Sequence, residues 1–175
     1  MNRVRECISW PLVGRGNIAI HEAGHLVTAS LLGMTTAGAI ADSDSGCAAI
    51  GVGTNPAPSL EQLPDKEPEP DLLADLLKAS YPECWPGKTF DQAVIAYATM
   101  LLAGRQAELI HADIRVTKGQ RLVMRDSDHL LAESLLQRIG YSHLAIGRCQ
   151  HDARVLLKRH WSQVVQVSSS IKGRG

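Results

Sequence analysis

Residues 17–32 read NIAIHEAGHLVTASLL. His21 and His25 stand four apart within this stretch, and Glu22 follows the first, as HExxH. On an α-helix, residues four apart lie on nearly one face, about 6 Å apart along the axis. Two neutral imidazoles so related can bind one Zn²⁺ from the same side. Glu22, one step round the helix, can reach a water at the metal and take its proton, the general-base role. Ile18, Ile20, Leu26, Val27, Leu31 and Leu32 supply apolar, core-facing positions, and Gly33 supplies a stop. The spacing therefore predicts a helix over 17–32. Gly24 weakens that helix by about 1 kcal/mol relative to Ala. A residue so small between two histidines predicts close approach by another element. Composition alone produces HExxH roughly 0.01 times in such a chain, so the helical setting carries the metal reading. The competing reading is a buried helix with two core or surface histidines.

The bulk properties restrict the classes open to this chain. Its 175 residues suit one domain with a real core, and 45% hydrophobic residues exclude a disordered chain. Aromatics are only 4%, so the core must be built mainly of Leu, Val, Ile and Ala. A formal net charge of +0 argues against nucleic acid as a partner. The local excess of Arg148, Arg154, Lys158, Arg159, Lys172 and Arg174 reads as a solvated helix face and a polar tail. Cys7, Cys47, Cys84 and Cys149 form no CxxC pair, so neither a cysteine zinc knuckle nor a compact disulfide framework is expected. Residues 1–16 lack the apolar core of a signal peptide, and the run Val94 to Ala103 is short of the roughly 20 residues that span a bilayer. The expectation is a cytoplasmic, thiol-reduced protein with no membrane partner.

Along the chain, 1–16 reads as a leader segment, 17–167 as the domain and 168–175 as a polar tail. Thr35 to Ala41 and Cys47 to Val52 read as short strands around an Asp42–Gly46 turn. Residues 54–71 carry five prolines (Pro56, Pro58, Pro64, Pro68 and Pro70) and read as a flexible loop. Helices are expected over 71–79, 91–110, 126–139 and from 142 to 164 or beyond, with a turn over 81–88. Asp126 should cap its helix and Gly140 should end it. Leu144, Ala145, Val155, Leu156 and Trp161 are core candidates of the last helix. The fold class is mainly α with a small β-sheet, α+β.

Catalytic zinc takes three protein ligands and leaves one position for water. No His occurs in 26–41, which excludes the extended metzincin pattern. Distant candidates for the third ligand are Glu108, His111, Asp113, Asp126, Asp128, His129 and Glu133.

Residues 20–27, IHEAGHLV, resemble the zinc helix of the FtsH peptidase family. Residues 100–109, MLLAGRQAEL, resemble that family's helix containing Gly-Gly-Arg-x-Ala-Glu, and 127–132, SDHLLA, stand where it has Asn-Asp-Leu. Ala48 to Val52 fall where the family has an edge strand beside the cleft. Order and approximate spacing agree from about Ile18 to about Trp161. The resemblance implies a zincin-like helical peptidase domain, with His21, His25 and Asp128 as zinc ligands and Glu22 as general base. Asp126 is the rival third ligand, because 122–128 read LVMRDSD rather than the family's Thr-Gly-Ala-Ser-Asn-Asp lead-in. Glu108 is either a partner orienting a ligand histidine or a surface acid. Arg105 either pairs with an acid or closes the cleft.

FtsH proteases carry a membrane anchor and an AAA ATPase module ahead of the peptidase. Neither is expected here, and Trp85 to Thr89 is no Walker motif. The resemblance thus implies a stand-alone zinc endopeptidase. It would be ATP-independent by itself, acting on unfolded or extended polypeptide along Ala48 to Val52 by β-augmentation, or relying on a separate ATPase or adaptor. The alternatives are a non-catalytic adaptor of the same fold and a zinc hydrolase of another bond. Monomer and small oligomer both remain open.

Overall fold

The computed structural model describes residues 15–41, 45–51, 69–113 and 126–171. The leader over 1–14, most of the Pro-rich loop, Val52, the Asp42–Asp44 turn and the end of the tail lie outside the described residues. The helix carrying HExxH forms as α1, Arg15–Leu31. It leads into a hairpin of β1, Thr35–Ala41, and β2, Gly46–Gly51, paired antiparallel. Six further helices follow: α2 Pro70–Cys84, α3 Phe90–Leu101, α4 Ala103–His111, α5 Ser127–Arg138, α6 His143–Arg159 and α7 Trp161–Ser170. The described chain is therefore mainly helical with one two-stranded sheet, an α+β arrangement.

α1 is the hub, in contact with both strands and with α3, α4, α6 and α7. Its Ile20, Ala23 and Val27 pack with Ala103, Ala107, Ala153, Leu157 and Val164. A larger cluster joins Ala29 and Met34 to Leu73 and Leu77 of α2, and to the apolar faces of α3, α5 and α6. Leu, Ala and Val dominate both clusters, as the low aromatic content requires. α3 and α4 together, Phe90–His111, are long and apolar enough to cross a bilayer by length and composition, and 78% of their most apolar window is buried inside the fold.

Local sequence explains where several helices begin and end. Thr89 and Gln92 form a capping box on α3, Asp126 caps α5 through His129 N–H, and Ser142 accepts from Leu144 N–H at the start of α6. Gly33 and Gly140 take positive φ (87° and 77°) just beyond α1 and α5.

Several expectations need correction. α2 runs from Pro70 to Cys84, through Pro82 and into the expected turn. Its end is anchored by Trp85, which is 3% exposed and donates its indole N–H to Leu32 O, so tertiary burial outweighs the local penalty of proline. The helix expected over 91–110 is interrupted at Leu102, and the one from 142 is interrupted at His160. α7 continues to Ser170, so the first residues of the 168–175 segment are helical. Leu144 and Val155 are 73% and 40% exposed and belong to no core. β2 begins at Gly46 rather than Cys47, and Gly46 pairs with Ala41.

The close approach expected at Gly24 comes from α4. A Cβ built on Gly24 would lie 2.8 Å from Ala107 Cβ and 2.9 Å from Ala103 O. Neither atom can swing aside, since one is backbone and the other is fixed to it. Gly24→Ala would gain about 1 kcal/mol of helix propensity, while overpacking costs about 1–3 kcal/mol. Gly24→Ala is therefore expected to lower the unfolding free energy in urea titrations; a stabilised variant would contradict the α1–α4 contact.

Candidate metal centre

The one-turn spacing sets His21 and His25 side by side, with ring centroids 4.7 Å apart and planes crossing at 72°. Both rings lie over Gly104 at the start of α4. A Cβ at Gly104 would sit 2.5 Å from each Nε2, so any side chain there would fill the space between them.

The other ring nitrogen of each histidine has its own partner. His21 Nδ1–H donates to Glu108 Oε1 at 2.7 Å, and His25 Nδ1–H donates to Met100 O at 2.9 Å. Met100 lies two residues before the interruption at Leu102. With Nδ1 assigned as donor from these partners, Nε2 is the nitrogen of each ring that could face a cation.

Asp128 completes the group from the first turn of α5. Its Oδ2 is 3.2 Å from His21 Nε2 and 3.2 Å from His25 Nε2. Ligands about 2.0–2.2 Å from a tetrahedral zinc are separated by roughly 3.3 Å. The donor set, its spacing and the cleared position at Gly104 therefore fit a divalent cation held by two imidazoles and one carboxylate. Among the described residues, His21, His25 and Asp128 are the group of His, Cys, Asp or Glu side chains with this convergence.

The remaining candidates separate by position. Asp126 is not in the group: its Oδ1 accepts from His129 N–H at 2.9 Å and its Oδ2 from Arg105 Nε at 3.3 Å. Arg105 also pairs with Glu108, so it ties the acid behind His21 to the cap of the helix bearing Asp128. His111 and Asp113 are exposed at the end of α4, and Glu133 pairs with His143 Nδ1 at 2.7 Å. A separate groove between α1, β1 and α7, lined by residues including Leu26, Gln163 and Gln166, contains none of the site residues.

Burial and charge act together here. Glu22 and His25 are only 5% and 6% exposed. Burial raises the Glu22 pKa, which favours its neutral form, while the two histidines oppose that shift. Burial acts to lower His21, but its bonds to Asp128 and Glu108 and the nearby carboxylate charges outweigh it, and its pKa is raised to about 10. His25 is raised in the same sense, with Asp128 overcoming its burial. Asp128 is held well below the usual carboxylate range, because both histidines outweigh its burial. Glu108 is lowered too: His21 and Arg105 outweigh burial. The carboxylates around the two imidazoles thus favour the protonated form of both.

Gly104 and the Met100 carbonyl were not singled out as site components from sequence. Gly104 carries a weak signal, a glycine inside a helix that is otherwise rich in helix formers. A backbone carbonyl carries none. The chain matches no protein-family model, no curated protein and no solved structure.

Asp126→Ala removes both the cap and the Arg105 partner and is expected to lower stability by about 1–2 kcal/mol. Asp126→Asn keeps the cap, and the part-exposed ion pair is worth only about 0–1 kcal/mol. Denaturant titrations should therefore rank wild type above Asn above Ala; equal losses for the two variants would show that capping is not the main contribution.

Proposed function

We propose that this protein is a zinc metallopeptidase of the FtsH peptidase type, with a zincin-like fold, hydrolysing peptide bonds in unfolded or extended polypeptide and ATP-independent by itself. The observation that carries this reading is the convergence of Asp128, from α5, on the Nε2 atoms of His21 and His25, with Glu22 buried beside them. Three segments that resemble the family in sequence thereby meet at one point. A cytoplasmic setting and action with a separate ATPase or adaptor belong to the same proposal.

His21, His25 and Asp128 hold the ion in this reading. Zinc, when bound, supplies a Lewis acid for the scissile carbonyl and lowers the pKa of water toward 7. Glu108 and the Met100 carbonyl hold the two Nδ1–H groups and so fix the ring orientations. Glu22 takes a proton from the attacking water as the new C–O bond forms. It then delivers that proton to the amide nitrogen as the C–N bond breaks. Its upward-shifted pKa suits both halves of this exchange. Among the described residues, each strand of the two-stranded sheet has one unpaired edge, which suits an extended substrate joining by β-augmentation.

Glu22→Gln keeps the size and polarity of the side chain but cannot accept the proton. Cleavage of a denatured, fluorescently labelled protein should fall by at least ~100-fold, with zinc content by elemental analysis unchanged. Turnover equal to wild type would sink the assigned base, and a zinc-loaded wild type without cleavage would sink the peptidase reading.

Zinc loading should also release protons. In the metal-free protein the His21 pKa of about 10 leaves that ring protonated near neutrality. Coordination needs a bare nitrogen, so binding expels the proton, and apparent affinity rises with pH up to that value. Calorimetry in two buffers of different ionisation enthalpy measures the protons released; a buffer-independent heat would show that His21 carries no extra proton before zinc binds.

A further inference from the structure

We infer that Gly46, the first residue of β2, is a positioning residue that sets where the Glu22 carboxylate lies. The inference rests on the role proposed for Glu22 above and adds a residue of the hairpin to that site. Ile18 and Glu22 are one helical turn apart on α1 and face the start of β2. A Cβ built on Gly46 would lie 2.5 Å from Glu22 Oε1, 2.8 Å from Glu22 Cγ and 2.6 Å from Ile18 Cγ2. Side chains do not approach so closely, so the bare backbone of β2 lies directly against the carboxylate.

The hairpin has little freedom to retreat. Gly46 pairs with Ala41, and the ladder continues through Ala39↔Ala48 and Gly38↔Ala49. Ala39, Ala41 and Ala49 are all buried, at 7%, 2% and 0% exposure. Lifting the strand would expose these methyl groups and break ladder hydrogen bonds. Glu22, in contrast, reaches its carboxylate through three rotatable bonds. A methyl at position 46 is therefore accommodated by rotation of Glu22, with Ile18 adjusting beside it. The fold keeps its register and the base loses its place. The atoms nearest to such a methyl belong to Glu22 and Ile18 rather than to His21, His25 or Asp128, so the ligand geometry is preserved.

Gly46→Ala in the full chain tests this. Zinc affinity should match wild type, KM on a denatured labelled protein should change little, and kcat should fall about 100-fold, as expected for a base displaced by about 1 Å. A crystal structure of the variant supplies a readout independent of turnover: the Glu22 carboxylate should be displaced while position 46 stays paired with Ala41. Ser45→Ala, at the exposed neighbour, should leave all these quantities unchanged. If Gly46→Ala does not fold, Ile18→Ala/Gly46→Ala removes one of the two opposing side chains and should give the same displacement. An unmoved carboxylate, or unchanged kcat with full zinc, overturns the inference. A wild type that binds zinc and cleaves nothing instead overturns the peptidase proposal, while the crystal structure still decides the role of Gly46.

Discussion

Everything at the centre depends on how closely α1 approaches α4. Gly24 meets Ala103 and Ala107, and Gly104 meets His21 and His25. With small residues on both helices, the imidazoles lie over a helix backbone instead of being pushed out by side chains. That approach brings Glu108 within reach of one ring and the Met100 carbonyl within reach of the other. A larger residue at either glycine would separate the helices or occupy the space between the Nε2 atoms. The same contact is extended by the Ile20, Ala23 and Val27 cluster, so core packing and site geometry share one cause.

The electrostatics follow from gathering acids in a confined space. Glu22, Glu108 and Asp128 surround two histidines, and Arg105 holds the outer side of Glu108. Carboxylates gathered in a buried or partly buried site repel unless positive charge separates them. The upward pKa shifts of His21 and His25 express the same tendency, since positive charge on either ring is favoured beside these acids. A divalent cation between the three side chains would offset the same repulsion, which is the electrostatic side of the proposed metal site. Arg105 has a second role, since its bond to Asp126 links α4 to the cap of α5. The helix bearing Asp128 is thus held to the helix behind His21 by an ion pair outside the ligand set.

Much of the fold was legible because local rules operate where the chain is strongly patterned. α1, the hairpin and α5 follow from apolar spacing, turn residues and the Asp126 cap. The misreadings share a cause as well. Pro82 marks a helix end on local grounds, yet Trp85 is buried and hydrogen-bonded to Leu32 O, and the helix persists to reach it. Leu102 and His160 are ordinary helix residues at which long helices break, so nothing in their identities announces the interruption. Leu144 has the right spacing for a core position but lies near the exposed start of α6.

The sequence alone determined the pairing of His21 with His25, the adjacent Glu22 and the need for a small residue at Gly24. All of these lie within little more than one helical turn, where spacing converts directly into geometry. Only the tertiary structure set Asp128 rather than Asp126 beside the histidines, gave Glu108 its histidine partner, and laid Gly46 against Glu22 and Gly104 against the histidines. Those choices depend on contacts between elements far apart in the chain. Two acids separated by one residue at a helix start are alike in sequence; the direction each faces is set by the helix they begin and by what that helix packs against.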